Sequence, residues 1–283
     1  MAVVKKGAGS ITFKIVAYTV CIILTVLSLL PFVIMIVNST RNTPQIQQHA
    51  VSLIPSKYLA FNMKVFTGKD FDPMRGFLNS LIVSVSSTAL NVYFSTMTAF
   101  ALVAYDWKLR KPFFTLIMAV LMIPAQLTAI GFYKFIFSIG MTNKLIALIL
   151  PSIAAPTTVF FMRQYMIPSL PMEILQSARI DGAGEFRIFN QIVLPMMTPA
   201  MATQAIFAFV GSWNNLFMPQ VLLSKPTKYT MPIMVSLLNG DIYKTEFGAI
   251  YLGLFLTVLP LLVVYFLLSK YIIEGVALGG VKG

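Results

Sequence analysis

The sequence predicts an all-α, polytopic membrane protein with six spanning helices, and three observations predict it. Of its 283 residues, 58% are hydrophobic and only 11% charged, against roughly a quarter charged in soluble domains. Six stretches contain no Asp, Glu, Lys, Arg or His: 15–37, 77–105, 112–133, 145–162, 196–217 and 247–269. At about 1.5 Å of rise per residue, roughly 20 helical residues cross a hydrocarbon core of about 30 Å. Five of the six stretches reach that length.

The first stretch follows Lys5, Lys6 and Lys14, but it exceeds a signal-peptide core and no small-residue cleavage site follows, so it reads as a retained span. It holds Cys21, the single cysteine, which rules out an internal disulfide or a CxxC site and reads as a small buried apolar residue. An outward loop, 38–76, carries Asn42, Pro44, Pro55, Gly68 and Pro73, the turn formers of an ordered or semi-extended connection. After the second stretch, the turn 106–111 packs Lys108, Arg110 and Lys111 into six positions. Basic residues elsewhere divide almost evenly, so this short turn sets the orientation, with both termini cytoplasmic. The fourth stretch is short and contains Pro151 and Pro156. It needs either tilt with flanking residues or a broken helix buried among its neighbours. A charged cytoplasmic segment, 164–195, leads into the fifth stretch. A second outward loop, 224–246, is apolar enough over 230–238 to press against other protein. The sixth stretch ends in a cytoplasmic tail, 270–283, which if extended reaches on the order of 40 Å. No repeat, low-complexity tract or soluble domain interrupts the pattern, so 1–283 reads as one membrane domain.

Several chemistries are excluded. The formal charge of +12 is spread over every loop, with no basic stripe alternating with stacking aromatics, so nucleic acid is not a partner. No ionisable residue lies inside a span, where an ion-coupled carrier or intramembrane enzyme places one. His49, the only histidine, reads as a solvated loop residue and excludes a multi-histidine metal site; no other metal site is expected. No GxxxxGK[ST] loop is present, so the chain itself carries no ATP chemistry and no cofactor.

The segment 171–195 is the informative anomaly. Pro171 suits a first helical turn, and Glu173 follows where negative charge is favourable. Met172, Leu175 and Ala178 form an apolar stripe, which Asp181-Gly182-Ala183-Gly184 breaks. Gly182 is placed to take the left-handed conformation that closes a helix. A second short helix follows, with Phe186, Phe189 and Val193 on one face, before Pro195 marks re-entry to the bilayer. The result is a knob of two amphipathic helices around a glycine bend. The rival for this stretch alone is an amphipathic helix lying on the lipid surface.

This segment resembles the EAA loop of ABC-transporter permeases, and Ala178–Ala183 (ARIDGA) with Ile192–Pro195 (IVLP) is similar to the form in carbohydrate importers. Asn79-Ser80, Ile123-Pro124, Gln126, Ser212-Trp213-Asn214-Asn215 and the ending Glu274-Gly275 to Gly283 match as well, most closely the smaller maltose-type subunit. The resemblance implies a type I ABC importer permease fold in the cytoplasmic (inner) membrane of a prokaryote. It implies a second, homologous permease in a heterodimer, an ABC ATPase dimer that binds ATP and Mg, an extracytoplasmic solute-binding protein and a carbohydrate substrate. It assigns ATPase coupling to Glu173, Gln176, Ser177, Ala178, Asp181, Gly182, Ala183 and Gly184, and an ATPase-contacting tail to Gly279, Gly280, Val281, Lys282 and Gly283. The chain departs from the pattern at Gln176-Ser177-Ala178, where a neutral amide replaces the family's carboxylate; a hydrogen bond survives there but an ion pair does not.

A sugar route wants amides, hydroxyls and rings, and Asn79, Asn91, Gln126, Tyr133, Trp213, Asn214 and Asn215 supply them within or beside the spans. For each alone, interhelical hydrogen bonding or interfacial anchoring is an equal reading. The resemblance adds that the larger partner supplies most sugar contacts, and that the loop 224–246 enters the binding protein. Alternatives to sugar import are a polyol or sugar-phosphate importer, and an uncoupled channel or secondary carrier.

Overall fold

The computed structural model describes residues 8–68, 72–239 and 245–280, and the side chains of these except 8–12, 125, 239 and 270–280. The only regular elements among the described residues are helices; they contain no strand. In chain order the helices are α1 (Ala8–Ser39), α2 (Thr43–Gln48), α3 (Leu59–Gly68), α4 (Pro73–Ala104), α5 (Arg110–Leu121), α6 (Ala125–Ser138), α7 (Ile146–Ile149), α8 (Pro156–Ser169), α9 (Met172–Ile180), α10 (Glu185–Ile188), α11 (Leu194–Trp213), α12 (Phe217–Leu222), α13 (Met231–Asn239) and α14 (Phe247–Gly280). Two compact units emerge, one of Met1–Lys69 with Leu237–Leu256, the other of Asp70–Ser236 with Thr257–Gly283.

In the first unit, α1 is apolar all round and its large side chains are exposed, as a helix does when lipid or a partner is its solvent. Cys21 lies on this surface, exposed, which corrects the buried reading. The outward loop is folded: Asn42 and Gln45 form a reciprocal capping box on α2, and Asn62 of α3 donates to the carbonyls of Ser39 and Arg41. Arg41 is buried, donating to Asn38 Oδ1, Gln45 O and His49 O.

In the second unit, α4 is the axis, packed chiefly against α11 and α8. Asp72 caps its first turn through the amides of Met74 and Arg75. Ser80, Ser84, Ser87, Asn91 and Ser95 run down one face of α4, small enough to let neighbouring helices approach. The apolar run 230–238 does not wait for another protein: α13 seats Met234 so near Gly76 that a Cβ there would lie 2.4 Å from its sulfur, and Met231 N donates to Ser80 Oγ.

Two spans, the third and the fifth, differ from the sequence expectation, and the fourth takes one of the two forms it allowed. The third is bent by 104° between Arg110–Leu121 and Gln126–Ser138, because Pro124 donates no amide hydrogen and disfavours helix at Ile123. The fourth runs over Ile146–Ser169, interrupted by a 3₁₀ turn at Leu150–Ile153 and restarted with Pro156 in the first turn of α8. Of the two forms its prolines left open, this is the broken helix. The helix that carries the fifth span starts ahead of its apolar stretch, since α10 and α11 form one continuous helix, Glu185–Trp213, joined by a π turn at Phe189–Val193. Pro195 therefore marks no break. Its ring crowds the carbonyl four residues back, and the wider π turn, in which Leu194 N bonds Phe189 O, absorbs the misfit. The tail also differs: α14 continues to Gly280, so 270–280 rises about 1.5 Å per residue rather than running extended.

Candidate functional site

The knob at 171–195 builds its bend as expected and its second helix differently. Helix α9 ends in a full Schellman closure: Gly182 takes φ +79, Gly182 N donates to Arg179 O and Ala183 N to Ala178 O. Leu175 is 0% exposed, and Met172 and Ala178 pack beside it against one core with Phe100 of α4, Met162 and Met166 of α8 and Met197 of α11. Phe186 does not join this face; it is 72% exposed, and Ile188 is buried in its place. Helix α9 thus shares one core with three of the membrane helices.

Across the bend, Arg179 clasps Glu185 side-on, Nε to Oε1 at 2.7 Å and NH2 to Oε2 at 3.2 Å. Tyr105, the residue after α4 ends, donates its hydroxyl to the same carboxylate, and the guanidinium carbon lies 5.4 Å from its ring centre. Glu185 opens α10, ahead of the apolar membrane segment, and its carboxyl is held below its ordinary value by the bond from Arg179 and then that from Tyr105. The Tyr105 hydroxyl is pushed up to about 12 by burial and then by the Glu185 bond. Arg179 is raised, chiefly by Glu185. Farther in, Tyr93 of α4 donates to Asn190 Oδ1 and Asn190 donates to Phe186 O, pinning the π turn. Tyr105 and Asn190 carried no signal in the sequence, since their partners lie 80 and 97 positions away.

Of the proposed coupling residues, Glu173, Gln176, Ser177, Asp181, Gly182 and Gly184 are exposed, and Ala178 and Ala183 are half-buried. Ile180, 86% exposed, is a second apolar residue of the knob left uncovered, with Phe186. For the tail, Gly279 and Gly280 end α14, while Val281, Lys282 and Gly283 lie outside the described residues.

The candidate solute residues separate. Asn91 and Asn215 line one cavity of about 350 Å³. Asn79 is spent elsewhere, donating to the carbonyls of Thr227 and Tyr229 and so fixing the start of the second outward loop on α4. Trp213 is no solute platform: it is 1% exposed, sits between Phe77 and Phe209, and donates Nε1 to Thr257 O. Gln126, Tyr133 and Asn214 are exposed but line no part of this cavity. Ser87, Ser152 and Ser212 do, and sequence reasoning passed over them as solute contacts because serines inside an uncharged run carry no distinguishing pattern.

The family model described as the inner membrane component of binding-protein-dependent transport systems matches residues 91–277. An arabinooligosaccharide transport permease, AraQ of Halalkalibacterium halodurans, is 34% identical over 260 residues, covering 91% of this chain and 92% of its own. The lactose transport permease LacG of Rhizobium radiobacter is 31% identical over 268 residues, covering 95% and 96%. A chain from the crystal structure of a bacterial ABC transporter involved in importing the acidic polysaccharide alginate superposes with a TM-score of 0.79 at 20% identity, covering 94% and 98%. That likeness establishes the fold.

Proposed function

The chain belongs to the family of binding-protein-dependent transport system inner membrane components, a multi-pass membrane permease family. From that premise we propose that it is the non-catalytic permease subunit of an ATP-driven importer for a sugar or oligosaccharide. Its relatives transport arabinooligosaccharides and lactose. It sits in the inner membrane of a prokaryote and pairs with a second permease, an ATPase dimer that binds ATP and Mg, and an extracytoplasmic solute-binding protein.

The observation that carries the reading is the knob. Its outer surface offers Ile180 and Phe186, apolar and exposed, beside Glu173, Gln176 and Ser177. Its inner surface is locked through Leu175 into the core of α4, α8 and α11. An exposed apolar tip rimmed by polar groups fits a protein partner. With Gln176 in place of a carboxylate, the partner contact there is an amide hydrogen bond beside hydrophobic insertion.

Co-purification from native membranes tests it. The intact complex should retain an ATPase subunit, and Ile180→Asp with Phe186→Asp should release it while the chain still inserts. Retention of no ATPase by the unmodified chain returns the problem to a channel or secondary carrier.

A further inference from the structure

We propose that this chain itself holds a subsite for an uncharged, polyhydroxylated solute, formed by Ser87 and Asn91 of α4, Ser152 between α7 and α8, and Ser212 and Asn215 at the end of α11. It rests on the import reading and adds to it where the solute is touched and what its charge is. The cavity between these residues, about 350 Å³, falls in the range of small-molecule sites, roughly 300–1,000 Å³.

Two residues in its wall carry polar atoms left without a partner. Ser87 Oγ and Asn91 Oδ1 are buried and have no hydrogen-bond partner. A helical hydroxyl ordinarily satisfies itself by donating to the carbonyl four residues back, as Thr96 and Thr98 do on the same helix. Ser87, 6% exposed, does not, nor do Ser84, Thr88 and Ser95, but of these four only Ser87 lines the cavity. It lies one turn from Asn91 on the same face, so both reach the cavity together. Opposite them, Ser152 donates to Ile149 O and keeps lone pairs for an incoming hydroxyl. Asn215 is fixed by the bond from Met218 N to its Oδ1. Phe132 supplies an apolar ring for the C–H face of a sugar.

The charge of the solute follows from what is missing among the lining residues: none is Asp, Glu, Lys, Arg or His. A phosphate or carboxylate taken out of water needs a cation or several aligned donors. A neutral sugar or polyol needs only the mixed donors and acceptors that serine and asparagine present. Of the two importer readings, the neutral solute fits and the sugar phosphate does not.

The test uses the complete transporter in proteoliposomes with its binding protein, supplied with a labelled neutral oligosaccharide. For Ser87→Ala combined with Asn91→Leu, solute imported per ATP hydrolysed should fall about tenfold or more, the scale of one buried hydrogen bond to a ligand. Ser152→Ala and Asn91→Ser, which keep the packing, should give graded losses if the double variant does not assemble. An unchanged ratio in all variants means the cavity holds only water and overturns the subsite while leaving the import reading intact. Faster import of a phosphorylated sugar than of its neutral counterpart overturns the solute class. An unmodified complex that imports no carbohydrate removes the import reading and this inference together.

Discussion

Arg179 meets Glu185 at 2.7 Å across the bend at Gly182, so the last turn of α9 and the first turn of the long fifth helix are tied by side chains as well as by backbone. The knob is thereby braced on both sides of its bend, and through Leu175 it shares one core with α4, α8 and α11.

The bend depends on one backbone conformation. A Cβ at Gly182 would meet nothing within 4 Å, so the cost of substitution is conformational alone, about 1–2 kcal/mol for an L residue held left-handed. Gly182→Val should let ATP hydrolysis continue while solute uptake falls, with the chain still inserted. Gly182→Asn should be milder, because asparagine tolerates the left-handed region. Uptake equal to the unmodified transporter in the valine variant refutes the role of the bend.

The clasp makes a pH prediction of defined sign. Glu185 has a lowered folded value, so its contribution is present above the ordinary carboxyl range and is lost as pH falls through that lowered value. Tyr105 has a raised one, from 10.0 to about 12, so its contribution is present below the ordinary value and is lost as pH rises through about 12. Between these limits the clasp does not titrate. Arg179 and Glu185 are 30% and 47% exposed, and solvent screening limits the pair to about 0.2–1 kcal/mol. Tyr105→Phe should lower thermal stability slightly and remove the alkaline loss, while keeping the ring under Arg179. Thermal denaturation of the purified complex across pH measures both.

What the sequence made legible follows from which interactions are local. The apolar runs, the stripe of Met172, Leu175 and Ala178, and the left-handed Gly182 all rest on neighbours within a few residues; five runs fall in single spans, the third in a bent pair, and the stripe and Gly182 lie where the pattern put them. Pro195 misled because a proline after a short helix reads as a boundary, whereas a π turn just before it lets the helix continue. Trp213 misled because an indole beside two asparagines looks like a sugar platform, and only Phe77 and Phe209, brought in from elsewhere in the chain, make it core. The cavity at Asn91 and Asn215 was half legible: the amides stood out, and the serines that complete the wall did not.

The tail offers a separable test of coupling. Gly279 and Gly280 close a helix that began at Phe247, and removing Gly279, Gly280, Val281, Lys282 and Gly283 deletes no part of the described core. Coupled transport should fall more than the amount of inserted chain. Uptake per inserted molecule equal to the full-length chain counts against an ATPase contact there.

On the outward side, Gly248 is the described glycine with the closest backbone neighbour to a would-be side chain. A Cβ there would lie 2.3 Å from Arg41 O and 2.4 Å from Asn62 Nδ2, two groups of the first outward loop that pack against the start of α14. Neither neighbour yields easily. Arg41 is anchored through bonds to Asn38, Gln45 and His49, and Asn62 is committed to the carbonyls of Ser39 and Arg41. Thr43 adds a second tie, donating to Glu246 Oε2 and accepting from Phe247 N. Gly248→Ala should therefore push the loop off the helix at an overpacking cost of about 1–3 kcal/mol. The expected signature is faster proteolysis of the 50–57 stretch and a lower unfolding temperature. Gly68→Ala, in the same unit but with open space around its Cβ, should change neither. Equal behaviour of the two variants would show that the loop is not held at Gly248.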